Sequence, residues 1–134
     1  MSAVELAQAL IKIKSISPND NGCFDLIETE LTPLGFKIER IPELNSETLL
    51  AKFGTSEKVF CYLGHTDVVP SGPEEEWTSH PFEANIINGE LIGRGAADMK
   101  GSIAVFIESL KKFLTNYPDP NFQIWVMLTS NEEG

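Results

Sequence analysis

The sequence predicts an α/β fold in three layers, with helices on both faces of a mixed, largely parallel sheet. Two observations carry this. Segments with the 3.6-residue apolar period of helices alternate along the chain with short runs of strand type. Strands separated by helices are the pattern of a sheet covered by helical layers. The 134 residues hold no internal repeat and no linker-like stretch, so they read as one domain's worth of chain.

The elements follow in order. Ser2 and Glu5 form a capping box ahead of a first helix, whose apolar face is Leu6, Ala7, Leu10, Ile11 and Ile13. "SISPNDNG", Ser15 to Gly22, is dense in turn formers and reads as a loop. A second helix is predicted from Cys23 to Leu34 with Phe24, Ile27, Leu31 and Leu34 inward. Gly35 fits its C′ position, and Pro33 disturbs the last turn. "FKIERI" and "TLLAKF" alternate as strands, whereas "KVFCYL" reads as a more buried strand leading to His65.

From Val69 to Phe82 the chain is a loop rich in Pro, Ser and Glu. "ANIINGELI" gives two short strands about an Asn88-Gly89 turn. Met99 to Tyr117 is the clearest helix, with Ile103, Ile107, Leu110 and Leu114 as its stripe and Pro118 and Pro120 closing it. "FQIWVMLTS" reads as a last, fully buried strand.

Composition excludes several classes of partner. Hydrophobic residues at 42% and charged residues at 22% are ordinary for a globular protein and unlike a disordered one. A net charge of -10 counts against nucleic acid and anionic membrane. No apolar run approaches the ~18 residues of a membrane span. "MSAVELAQAL" lacks the basic and apolar regions of a signal peptide, so a soluble cytoplasmic protein is expected. Cys23 and Cys61 form no C-x-x-C pair and are expected as buried, reduced thiols, in keeping with that compartment.

The reactive residues collect at strand ends. His65 and Asp67 follow one strand, two positions apart and therefore on one face. Asp98 opens the long helix, and Glu132 and Glu133 follow the last strand. Open α/β sheets build their sites at the carboxyl ends of strands. One imidazole with several carboxylates suits a divalent cation, Zn²⁺ first among them. Each residue also has an ordinary reading: a turn histidine, a helix N-cap at Asp98, solvated glutamates. His80, in "TSHPFEA", is left as an ordinary turn residue. Only the joint occurrence of the acidic strand ends points to a metal. "GRGAAD" imitates a dinucleotide loop, but Asp98 occupies the third glycine's place.

Three blocks carry a family resemblance: "GHTDVVPSG" (Gly64 to Gly72), "GRGAADMKGSIA" (Gly93 to Ala104) and "NEEG" (Asn131 to Gly134). Together with "SISPNDNGCFDL" and "W…HPFEA", they resemble the signature motifs of the co-catalytic dinuclear zinc aminoacylase and carboxypeptidase family, peptidase family M20. The resemblance runs along the whole chain with the motifs in order. It implies a zinc-dependent exopeptidase-like fold and hydrolysis of the amide of a small N-acyl amino acid.

It further implies two divalent metal ions, Zn²⁺ with Co²⁺ as the alternative. His65 would be a ligand of one ion, Asp98 the carboxylate bridging both, and Glu133 a ligand of the second. Glu132 would be the general base and Asp67 the residue that orients His65. A ligating imidazole does need its other nitrogen held by an acceptor. The resemblance also implies a cis peptide at Asp98-Met99 and a homodimer for the complete enzyme. On this reading the 134 residues are the N-terminal part of the catalytic domain, with further ligands and a lid domain beyond Gly134. The isolated chain is then expected to be inactive and to expose a sheet edge. Other acylases or peptidases of the family remain alternatives, as does a non-catalytic acidic domain.

Overall fold

The computed structural model describes residues 1–134. Helix α1, Ala3–Ile11, starts at the predicted capping box: Glu5 N–H donates to Ser2 Oγ at 3.2 Å, and Ser2 N–H to the Glu5 carboxylate at 3.0 Å. Such a cap is worth about 1 kcal/mol. Helix α2, Cys23–Leu31, ends earlier than predicted, and Thr32–Leu34 tighten into a 3₁₀ turn. Pro33 has no N–H for the helical ladder, and Gly35 stops the chain at φ 100°. Helix α3, Gly101–Asn116, starts two residues later than predicted, after a kinked turn at Ala96–Lys100.

Strands β1 (Lys37–Pro42), β2 (Glu47–Phe53), β3 (Val59–His65) and β6 (Gln123–Thr129) form one sheet in the order β1-β2-β6-β3. Between β3 and β6 come the short β4 (Ile86–Ile87) and β5 (Glu90–Leu91), a separate hairpin. Its turn residues Asn88 and Gly89 both have positive φ, 52° and 80°, as the type I′ turn that Asn-Gly favours demands. The sheet is mixed, as predicted, but only the β3-β6 ladder is parallel. The cause is connection length: β1 and β2 are joined by a tight turn closed by Glu43 N–H to Ser46 C=O, whereas α3 lies on the crossover from β3 to β6.

All three helices pack on one face of the sheet. Leu49 and Ala51 of β2 and Ile124, Val126 and Leu128 of β6 join Leu10 of α1, Phe24 and Ile27 of α2, and Ile103 and Ile107 of α3 in a single core. Of the three predicted layers, this chain therefore supplies two. The opposite face of the sheet carries Cys61, Leu63, Trp125 and Met127.

That arrangement corrects three expectations. β3 is an edge strand, with Phe60 53% and Leu63 66% exposed, and is not the buried strand its composition suggests. Cys61 on it is exposed, while Cys23 is buried; both thiols are free. β6 is central in the sheet, yet its residues alternate between buried and half-buried because helices cover one face only. No helix is long and apolar enough to cross a membrane.

Candidate metal centre

The parallel pairing of β3 with β6 sets His65 opposite Thr129, so both strands end at one level. The ladder continues one step through Thr66 N–H to the Thr129 carbonyl, 3.0 Å. Past that point the chain after β6 turns across Asp67, which is fully buried. Glu132 N–H donates to Asp67 Oδ1 and Glu133 N–H to Asp67 Oδ2, each at 3.0 Å. Ser17 Oγ donates to Asp67 Oδ2 from the first loop. Burial alone would raise the Asp67 pKa, but the Ser17 hydroxyl and these two N–H groups outweigh it and hold the carboxyl below its ordinary range.

The third segment is the kinked turn Ala96–Lys100. Asp98 and Met99 leave helical geometry there, and the peptide between them is cis, as the resemblance implied. Gly95 enters the turn at φ 85°, where an added Cβ would lie 2.6 Å from Val68 Cγ1, so only glycine fits. Lys100 leaves it fully buried, its Nζ donating to the Leu10 and Ile13 carbonyls at 2.8 Å each. The turn is thus fastened to the C-terminal end of α1. Helix α3 has no side-chain N-cap bond, and the N-cap reading of Asp98 falls. Asp98 Oδ1 instead lies 3.0 Å from His65 Nε2.

His65 is 6% exposed and held from the opposite side. Its Nδ1 is 2.9 Å from the main-chain carbonyl of Asp67 and 3.5 Å from that residue's Oδ1. The main-chain oxygen is therefore the nearer acceptor, while the carboxylate is engaged with the glutamate N–H groups. A carbonyl only accepts, so Nδ1 carries a proton. In a neutral ring Nε2 is then a lone pair facing the Asp98 carboxylate, and two acceptors at that distance call for a proton or a cation between them. Burial works against protonation, but the Asp67 carbonyl, the Asp98 carboxylate and both acidic charges raise the His65 pKa.

The ligating atoms of His65, Glu132 and Glu133 lie within 4.8 Å of one another. Glu132 Oε2 is 3.8 Å from His65 Nε2. Glu133 is held above the ordinary carboxyl range by desolvation and by the charges of Asp98 and Glu132. One imidazole nitrogen and three crowded carboxylates suit a divalent cation, which would relieve the repulsion that adds to desolvation in raising Glu133. All five residues singled out by the sequence thus meet at one place. His80 does not join them; it lies 3.1 Å from Glu74 and accepts Phe82 N–H. Ser17 joins them unannounced, since a serine in a turn-rich loop gives no sign of where its hydroxyl will point.

Known proteins resemble this chain in sequence and in fold. The sequence profile of peptidase family M20/M25/M40 matches residues 61–134. The succinyl-diaminopimelate desuccinylase of Hydrogenovibrio crunogenus is 51% identical over 132 residues, covering 98% of this chain and 35% of that enzyme. The desuccinylase of Halorhodospira halophila is 48% identical, covering 100% of the chain and 36% of the enzyme. The chain thus spans about a third of the length of the curated relatives it matches. Among solved structures, an M20 family metallo-carboxypeptidase from Sulfolobus solfataricus superposes with a TM-score of 0.85 at 24% identity, over 96% of this chain and 30% of its own. Human carnosine dipeptidase 1 does so with 0.80 at 23% identity, over 94% and 31%. These two likenesses speak for the fold.

Proposed function

The chain belongs to peptidase family M20/M25/M40, and from that premise we propose that the full-length protein is a metal-dependent amide hydrolase that cleaves N-succinyl-LL-2,6-diaminopimelate. The products are succinate and LL-2,6-diaminopimelate, a step of lysine and diaminopimelate biosynthesis. The observation that carries the reading is the meeting of His65, Asp98, Glu132 and Glu133 at the joined ends of β3 and β6, in a chain about half identical to desuccinylases.

His65, Asp98 and Glu133 would be the residues that hold the divalent ions, two of Zn²⁺ or Co²⁺ on this reading. Such ions polarise a scissile carbonyl and acidify water. The remaining chemistry belongs to the chain itself. Glu132, 56% exposed in its side chain, is open to solvent, and on this reading it takes the proton of the attacking water. It returns that proton to the departing amine, as general acid-base catalysis requires. Asp67 fixes three of the participants at once, through its carbonyl on His65 and its carboxylate under both glutamates.

His65, Asp98 and Glu133 would be three ligands for two ions, fewer than stable zinc sites have at three or four each. The remaining ligands belong to the longer protein, as do dimerisation and selection of the acyl group. A cytoplasmic location is part of the same reading. The test is hydrolysis by the full-length gene product loaded with Zn²⁺, assayed on the succinyl substrate and on N-acetylornithine, before and after chelation. Metal-dependent release of succinate supports the proposal. Preference for the acetyl substrate, or hydrolysis that survives chelation, overturns it.

A further inference from the structure

The loop from Ser15 to Gly22 is a sequence feature that the proposed chemistry leaves unused, and it is stitched to the strand end that carries the site. Ser17 N–H donates to the Val68 carbonyl at 3.1 Å, and Val68 N–H to the Ser15 carbonyl at 2.9 Å, a short parallel bridge. Ser15 Oγ donates to the Thr66 carbonyl at 2.7 Å, and Thr66 Oγ1 to Asp20 Oδ1 at 2.8 Å. The first two bonds join main chain to main chain and the other two engage the Ser15 and Thr66 hydroxyls, but none of the four touches the Asp67 carboxylate. Ser17 differs, because its hydroxyl reaches the Asp67 carboxylate.

Three donors bond that fully buried carboxylate, with a fourth polar group nearby. Glu132 N–H and Glu133 N–H come from the site, His65 Nδ1 stands off at 3.5 Å, and Ser17 Oγ is the one hydroxyl. The two glutamate N–H groups take one carboxylate oxygen each, so rotation of the carboxylate would turn both glutamates. Ser17 shares Oδ2 with Glu133 and approaches from the first loop, outside the catalytic segments.

We propose that Ser17 is a positioning residue: its hydroxyl locks the Asp67 carboxylate in the orientation that presents Glu132 to the water and Glu133 to the metal. This deepens the proposed hydrolase function and rests on it. Supporting groups behind metal ligands change affinity or activity by ~10–100-fold when removed. Ser17→Ala in the full-length, zinc-loaded protein should therefore lower kcat by roughly 10-fold and weaken zinc to a similar degree, with KM unchanged. Ser17→Thr, which keeps the hydroxyl, should restore most of the loss.

Ser15→Ala is the control, because it removes a buried hydroxyl from the same loop without touching Asp67. Loss of its bond to the Thr66 carbonyl should cost stability but leave kcat and zinc affinity near wild type. Amide exchange of the metal-free protein gives a readout independent of turnover. Glu132 and Glu133 N–H should exchange faster in Ser17→Ala than in wild type or in Ser15→Ala. Wild-type kcat and zinc affinity in Ser17→Ala overturn the proposal, and so do equal losses in Ser15→Ala, which would reduce Ser17 to general loop packing. If the wild-type protein hydrolysed no amide, the proposed function would fail, and the exchange result would still decide whether Ser17 holds the glutamates.

Discussion

Glu132 and Glu133 are neighbours in sequence on which the proposed chemistry places different demands. Glu132→Gln keeps shape and removes the proton acceptor, so turnover of the full-length enzyme should fall ~10²–10⁴-fold while its metal content stays. Glu133→Gln should instead weaken one ion, because a neutral amide oxygen is a poorer ligand. Metal analysis beside kinetics checks both, and the reverse pattern would exchange the two roles. Asp67→Asn tests the support beneath them. Its amide would aim a donor at one of the N–H groups that the carboxylate now accepts, costing about 1–3 kcal/mol in urea denaturation. The types and positions of these residues were legible in the sequence, since an imidazole and acids at strand ends are rare enough in combination to be informative. The division of labour within Asp67 was not legible. Whether a carbonyl or a carboxylate meets the imidazole depends on how the loop after β6 crosses β3, and only the folded path decides that.

At the scale of elements, the turn between the β4-β5 hairpin and α3 carries the site's most constrained backbone. An added Cβ at Gly101 would lie 2.2 Å from the Ala96 carbonyl oxygen, a main-chain atom that cannot move alone. Gly101→Ala should therefore shift the Asp98 turn, costing about 1–3 kcal/mol of stability as overpacking does. Zinc affinity should fall with it, and isothermal titration checks the pair. Strand β3 teaches the opposite lesson. Its apolar run suggested burial, but apolar composition reports only that a strand fits a sheet, and its place at the edge is decided by β6 pairing elsewhere. The two cysteines register that difference. Burial, only partly countered by the Lys100 charge, pushes the Cys23 thiol up to about 11, whereas Cys61 lies exposed. A thiol reagent at pH 8 should label Cys61 alone in the folded 134-residue chain, and both thiols in denaturant.

Over the whole molecule, the helices, the mixed sheet and the meeting of strand ends were legible because each has a local signature in periodicity, caps or turns. The missing cover of the second face was not, since a sequence pattern gives no sign of which sheet face meets helices. The consequence is a surface with two liabilities. Edge strand β3 presents unpaired main-chain groups, and Leu63 on the open face stands 66% exposed beside Met127. Unpaired edges with apolar side chains recruit further strands. The 134-residue chain should associate as its concentration rises, seen by sedimentation velocity, and Leu63→Lys should reduce the association by placing a charge on that face. Metal binding by the same chain follows from its charges. Asp98, Glu132 and Glu133 gather around one imidazole, and the protein as a whole carries -10. Any cation would be attracted there, yet with only the three proposed ligands for two ions it would be held loosely. After dialysis at most one zinc per chain should remain, with no useful hydrolysis of the succinyl substrate. Two tightly held zinc ions with robust turnover would mean that a second copy, drawn in through the exposed edge, supplies the ligands that the longer protein is proposed to provide.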